Sequence, residues 1–180
     1  MSEDLILGFV GNGITGLGLF AGIVAGAMVQ VLVGVFERHR QRSHAKQVIL
    51  GELIYNHGLI ERVSSSVARI KSLAAAHGVL DYEISIDMRQ FDYSSITVLM
   101  NTGWYYILLN ENQIRSYTNF RLFFNENEAM RWNDVWRGML RSEEYAEIVS
   151  MCDNFEEIAK DHRRVLESIY KDLSGRKLNA

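Results

Sequence analysis

The hydrophobic and polar positions divide the chain into one long apolar stretch and, after it, periodic segments. Residues 14–36 are 23 residues without a charged side chain, and Gln30 is their one strongly polar member. At about 1.5 Å of rise per residue, a helix of this length covers about 35 Å, against about 30 Å for the hydrocarbon core of a bilayer. The pattern therefore predicts a transmembrane helix at 14–36, with a short outer segment at 1–13.

A cleavable signal peptide is the competing interpretation of this stretch. Signal peptides have a basic leader and an apolar core of only about 7–15 residues. Here the leader contains Glu3 and Asp4 and no base, and the apolar stretch is longer. We therefore expect a permanent, single-pass anchor in the cell membrane.

A basic collar at residues 37–46 follows the apolar stretch and indicates its orientation. It contains one acid, Glu37, and four bases, which are Arg38, Arg40, Arg42 and Lys46. Because Lys and Arg are enriched on the cytoplasmic side of a membrane helix, we expect the N-terminus outside and residues 37–180 in the cytoplasm. The four bases are either a plain stop-transfer flank or, in addition, ligands for anionic lipid headgroups, each contributing about 1 kcal/mol.

Glycines recur at every fourth position within the apolar stretch. The row on this helix face, which we call the glycine face, consists of Gly18, Gly22, Gly26, Gln30 and Gly34. Small residues let two membrane helices approach closely, and a polar group in lipid favours a partner. The row predicts that the chain forms a homo-oligomer. The alternative is that glycine is simply common in membrane helices.

Two later segments show the spacing of a helix with one buried face. The first seam is Ile49, Leu53, Asn56, Ile60, Val63, Val67, Ile70 and Ala74. The second seam is Tyr145, Ile148, Cys152, Phe155, Ala159, His162, Leu166, Ile169 and Leu173. We expect Asn56 to be a buried amide that fixes register or partner, with a ligand contact as the alternative. We expect His162 to be satisfied by a neighbouring group, with a titrating switch or a ligand contact as the alternative.

The segment between these helices contains one extended stretch. From residue 80 to residue 88 apolar and polar residues alternate, which is typical of a strand. No second stretch of this kind is present to pair with it. A lone strand leaves its backbone groups unsatisfied, so it pairs with another copy, adds to a partner's sheet, or lies as an extended loop over the helices, which we favour.

Further helices are predicted at 92–110 and from residue 113 to about residue 140, the second with a polar interruption at 125–128. Ser94 or Ser95 and Ser142 are candidate N-caps. The fold is therefore expected to be all-α, with a transmembrane helix and then a cytoplasmic antiparallel helical bundle at 47–175. The tail at 176–180 is expected to be loose.

Composition and motifs narrow the function class. The formal charge is −3, there is no proline, and Cys152 is the single cysteine. No paired metal ligands, phosphate-binding loop or nucleophile elbow is found, so we expect no enzyme, no metal and no cofactor. The region after the collar is acidic, which argues against nucleic acid as a partner.

Two classes of function remain. In the first, the chain is a membrane-anchored interaction or regulatory module whose bundle binds a cytoplasmic partner. In the second, glycine-faced helices assemble into a pore or disrupt the bilayer, while the bundle senses a signal. The first is the preferred hypothesis.

Overall fold

The structure, a computed structural model, is all-helical over the residues that it describes, which are 3–77, 85–91 and 93–178, with side chains described from Val24 onward. The helices are α1 (Glu3–Ala75), α2 (Ser94–Asn101), α3 (Trp104–Leu108), α4 (Glu111–Phe123), α5 (Glu126–Arg141) and α6 (Tyr145–Ser174). The chain divides into two units, Met1–His44 and Ala45–Ala180. The second unit contains the helical bundle.

The predicted transmembrane helix lies only partly within the described side chains. Helix α1 runs through residues 14–36 without a break. Where side chains are described, no helix is both long enough and apolar enough to cross a bilayer. Residues 14–23 of the predicted span lie outside that part of the chain.

Both predicted seams are confirmed. Every member of the first seam, from Ile49 to Ala74, is buried in the bundle. In the second seam six of the nine residues are buried, and Tyr145, His162 and Leu173 are half-buried. A helix with apolar residues at alternating steps of three and four presents them on one face, and that face forms the core. The seams therefore pack inside this chain.

Contacts between side chains define how the helices run. An ion pair joins Glu61 of α1 to Arg163 of α6 at 3.0 Å, and a hydrogen bond joins His57 to Glu167 at 3.1 Å. As the residue number falls on α1 it rises on α6, so the two helices are antiparallel. Helices α4 and α5 lie along α6 in the opposite direction to it, because Gln113 bonds Asp172 whereas Trp132 packs against Phe155 further back along α6.

The predicted helix at 92–110 is wrong in one respect, because the structure divides it into α2 and α3. The break is at Gly103, whose φ of 80° lies in the left-handed region. Glycine has no Cβ and reaches this conformation without strain. The N–H of Gly103 still donates to the carbonyl of Met100 at 3.1 Å, which closes α2 before α3 begins.

The polar interruption at 125–128 is the boundary between α4 and α5. Asn125 is the N-cap of α5, and its side chain accepts a hydrogen bond from the N–H of Glu128 at 3.1 Å. Asn110 caps α4 in the same way, through a reciprocal capping box with Gln113. Short amide side chains are preferred at such positions because they satisfy N–H groups that the helix leaves free.

The predicted serine caps are wrong. The N-cap of α6 is Glu144, without a side-chain hydrogen bond, and Ser142 instead ends α5, where its hydroxyl donates to the carbonyl of Gly138. The N-cap of α2 is Tyr93, also without a side-chain bond. Ser94 is the first residue of α2 and not its N-cap.

The described part of the extended stretch lies on the bundle. Ile86 and Met88 are buried and Ser85 and Asp87 are exposed, as the alternation predicts. The amide of Asn133 on α5 bonds both backbone groups of Ile86, each at 2.8 Å. A side-chain amide thus replaces the neighbouring strand at this point. Residues 80–84 of the stretch lie outside the described residues.

The break at Gly103 generates a first prediction. A Cβ at Gly103 or at Gly51, which lies inside α1, meets no atom within 4 Å, so only the backbone distinguishes the two sites. We expect Gly103→Ala to destabilise the protein by about 1 kcal/mol, because its φ is left-handed. We expect Gly51→Ala, the matched control, to stabilise it by up to about 1 kcal/mol. Urea unfolding measures both, and two changes of the same sign would contradict the assigned conformation.

Candidate functional site

The described part of the apolar stretch is exposed along its whole length. Each of the 13 residues Val24–Phe36 is exposed. Eight of these are large apolar side chains, which are Val24, Met28, Val29, Val31, Leu32, Val33, Val35 and Phe36. Isolated exposed apolar residues are ordinary, whereas a contiguous apolar surface of this extent marks an interaction site.

One side of this helix carries no large apolar side chain, and Ala25 lies among the large side chains on the other side. At about 100° per residue, Gly26, Ala27, Gln30 and Gly34 fall within one arc of about 100°, and the large apolar side chains occupy the remainder. A Cβ at Gly26 or Gly34 meets no atom within 4 Å. The described part of the glycine face is therefore open. Gly18 and Gly22 lie outside the described side chains.

The basic collar is exposed on the same helix. Arg38, Arg40 and Arg42 are exposed, and Lys46 is half-buried where the second unit begins. Arg40 pairs with Glu37 at 3.1 Å, a surface contact worth less than about 1 kcal/mol. These side chains are accessible to an anionic surface.

A buried polar cluster ties α1 to α4. The hydroxyl of Tyr117 donates to the Glu52 carboxylate at 2.6 Å, and the amide of Asn56 donates to the same hydroxyl at 3.3 Å. All three side chains are buried. Burial, and then the charge of Glu52, raise the pKa of Tyr117 well above its usual value, so the phenol stays protonated and remains a donor. Asn56 is therefore a buried amide, as predicted, and its partner is within the chain.

The Glu52 carboxylate also accepts a hydrogen bond from the first turn of α2. Its second oxygen accepts the backbone N–H of Ile96 at 3.0 Å, in the first turn of α2. A carboxylate at this position is favourable because the N-terminus of a helix carries partial positive charge. Sequence reasoning missed Glu52, although its spacing, three residues after Ile49 and four before Asn56, places it on the same side of α1 as the seam.

His162 packs against aromatic rings of α4. Its ring stacks on Phe123 at 5.4 Å, and its edge contacts with Phe120 and Phe124 are 5.9 and 5.6 Å. Burial lowers the pKa of His162, because the charged imidazolium loses its hydration among these rings. The structure thus places His162 half-buried against aromatic rings at the edge of the core.

An open groove of about 810 Å³ lies between α1 and α6. It is lined by small residues, including Ser64 and Ala68, and by charged residues, several of them in ion pairs, such as Arg163 with Glu61. Among the described residues, no group of three or more His, Cys, Asp or Glu side chains is placed to hold a metal ion. The groove combines charges of both signs and shows no preference for one ligand.

Cys152 is a buried residue of the second seam. Burial raises the pKa of its thiol to about 11, so the thiolate is scarce at neutral pH. Because the thiolate is the reactive form, Cys152 behaves as a small apolar side chain.

The chain matches no protein-family model, no curated protein and no solved structure. Function is therefore inferred from the residues themselves. Two features stand apart from ordinary core packing, namely the exposed apolar segment with its collar and the buried cluster at Glu52.

The Glu52 cluster generates a second prediction. We expect Glu52→Ala to lower the free energy of unfolding by about 2–5 kcal/mol, because the buried Tyr117 hydroxyl and Ile96 N–H both lose a charged acceptor. The control is Glu61→Ala, which removes a surface ion pair and should cost less than about 1 kcal/mol. Urea unfolding followed by tryptophan fluorescence measures both. Equal, small losses would show that Glu52 does not join the helices.

Proposed function

We propose that the chain is a single-pass, membrane-anchored helical interaction or regulatory module, and not an enzyme. In this proposal the apolar stretch at 14–36 is the anchor, with the N-terminus outside. The collar lies at the cytoplasmic headgroups, and the bundle holds a cytoplasmic protein partner. The anchor sets the location of the bundle, and the bundle carries the interaction.

One observation carries the proposal, which is the uninterrupted exposure of the uncharged residues Val24–Phe36. Burying a Val or Leu side chain contributes about 1.5–3 kcal/mol, so eight such side chains represent on the order of 10–20 kcal/mol. That is as large as the whole stability of a typical domain. An apolar environment around this segment is therefore strongly favoured over water.

The distribution of the exposed side chains favours lipid as that environment. Large apolar residues cover about two-thirds of the helix circumference, which is more than one docked helix contacts. A bilayer surrounds a helix on all sides and fits this distribution. The glycine face occupies the remaining arc, and it supports the proposal that copies of the anchor pack together through it.

The anchor is tested by a charge placed within it. Val29 and Val98 are matched in exposure at 58% and 59%, but Val98 lies on α2 in the bundle. Arg near the centre of a membrane helix costs about 2.5–3.5 kcal/mol. We expect the wild-type chain and Val98→Arg to remain in membranes washed with alkaline carbonate, and Val29→Arg to be extracted to a greater extent than either, because the Arg offsets part of the apolar burial. The proposal fails if the wild type is extracted too, or if both variants behave alike.

Self-association through the glycine face is tested separately. We expect Gly26→Leu combined with Gln30→Leu to weaken the oligomer of the full-length chain in mild detergent by at least about tenfold, since close packing and a polar contact are both lost. Met28→Leu combined with Val35→Leu, on the opposite arc, is the control and should change little. Sedimentation velocity measures the oligomer. A wild-type monomer, or an oligomer unaffected by the first pair, would disprove self-association through this face.

A further inference from the structure

The polar side-chain contacts between α1 and α6 define which ends of the two helices lie together. Lys71 pairs with Asp153, Glu61 with Arg163 and His57 with Glu167. From Lys71 to Glu61, α1 goes back ten residues while the partner on α6 moves forward ten. From Glu61 to His57, α1 goes back four residues while the partner on α6 moves forward four. The same register brings Ser174, the last residue of α6, level with Leu50. The C-terminal end of α6 therefore lies at the end of the bundle where α1 enters, which we call the Ala45 end.

The residues after α6 are held at this end. Gly175 has a left-handed φ of 73°, and its N–H donates to the carbonyl of Lys171 at 2.8 Å. The hydroxyl of Ser174 bonds both backbone groups of Arg176, at 3.0 and 3.1 Å. Leu178 is half-buried, whereas Arg176 and Lys177 are exposed. The turn thus presents two cationic side chains to solvent at the Ala45 end.

The beginning of α4 lies at the Ala45 end as well, because Gln113 donates to Asp172 at 3.0 Å. The charged residues of segments 45–53, 111–115 and 171–178 can therefore be counted together. They comprise five cations, Lys46, Arg115, Lys171, Arg176 and Lys177, and three acids, Glu52, Glu111 and Asp172, which gives +2. Helices α2 and α3 contain no charged residue and do not alter this balance.

The opposite end of the bundle has the opposite charge. Its segments are 71–77 and 141–153, which meet where His77 packs against Tyr145 at 4.9 Å. They comprise two cations, Lys71 and Arg141, and four acids, Glu143, Glu144, Glu147 and Asp153, which gives −2. The charge of the bundle is therefore polarised along α1 and α6, in a chain whose formal charge is −3.

The cationic end is the one that the chain tethers to the apolar segment, since only eight residues lie between Phe36 and Ala45. Lys46, Lys171, Arg176 and Lys177 form no ion pair among the described residues, so their charge is available to a partner. An anionic lipid surface attracts basic residues that come within about 10 Å of it.

We propose that the Ala45 end of the bundle, through Lys46, Lys171, Arg176 and Lys177, is a docking surface for the anionic lipid headgroups of the membrane. This inference rests on the proposed function, because it takes the bilayer to be tethered at Phe36. It adds the C-terminal end of α6 to the collar as a second lipid contact, and it orients the acidic end of the bundle away from the membrane.

The test uses the full-length chain in nanodiscs of phosphatidylcholine, with or without about 30% phosphatidylserine, and a nitroxide on the headgroups. A fluorophore is placed at Asn112→Cys near the Ala45 end, or at Ser142→Cys at the opposite end; both sites are exposed and uncharged, and Cys152 is buried. We expect phosphatidylserine to increase quenching at Asn112→Cys by at least about twofold, and to leave Ser142→Cys unchanged. High salt should abolish the increase.

Matched charge variants distinguish docking through the cations of the Ala45 end from a general effect of the protein's net charge. At about 1 kcal/mol per basic residue, Arg176→Gln with Lys177→Gln should lower the ratio of docked to undocked bundle about 30-fold. Lys160→Gln with Arg164→Gln removes the same charge from the groove, and we expect phosphatidylserine still to increase quenching at Asn112→Cys in this variant. An equal loss in both pairs would overturn the proposal.

The remaining outcomes distinguish this inference from the proposed function. Nanodiscs that contain the chain but show equal quenching with and without phosphatidylserine would overturn the docking surface alone. In that case the basic end would fit an acidic protein segment better than lipid. A chain that enters nanodiscs of neither composition would overturn the proposed function and this inference together.

Discussion

The buried carboxylate of Glu52 is the interaction on which the arrangement of the bundle depends. It joins α1, which supplies it, to the first turn of α2 and to Tyr117 of α4. A buried charge is tolerated only when it is fully hydrogen-bonded, because its loss of hydration costs several kcal/mol. The hydrogen bonds of Glu52 therefore restrict the positions of α2 and α4 relative to α1. The apolar burial of the seams of α1 and α6 offsets the cost of removing this carboxylate from water.

The same helix has two different surroundings along its length. From residue 45 to Ala75, α1 buries one face against its own chain, and its seam follows the spacing of a packed helix. From Val24 to Phe36, α1 is apolar on nearly all sides and exposed on all of them. A helix with one apolar face packs that face against a bundle, whereas a helix that is apolar on all sides favours an environment that is apolar on all sides. The boundary between the two patterns is the basic collar.

The sequence predicted the seams well because burial on a helix is a periodic property. Ile49 and Phe155 were placed in the core by spacing alone, and both are fully buried. Spacing did not predict the break at Gly103, since a glycine inside an apolar pattern is compatible with a helix or with a left-handed turn. Nor did it predict the role of Glu52, whose partners are 44 and 65 residues away along the chain. Contacts of that kind are set by tertiary packing, which local pattern does not encode.

The buried seam also limits how copies of the chain can associate. Asn56 was expected to fix register or partner, and a buried amide in such a seam can do so between two copies of a chain. Asn56 instead bonds Tyr117 of the same chain, and the seam is covered by the chain's own helices. Association through that seam would require the bundle to open and Glu52 to lose its partners. Any association of folded copies must therefore use other surfaces, and the glycine face is the described part of α1 where small residues leave room for a second backbone.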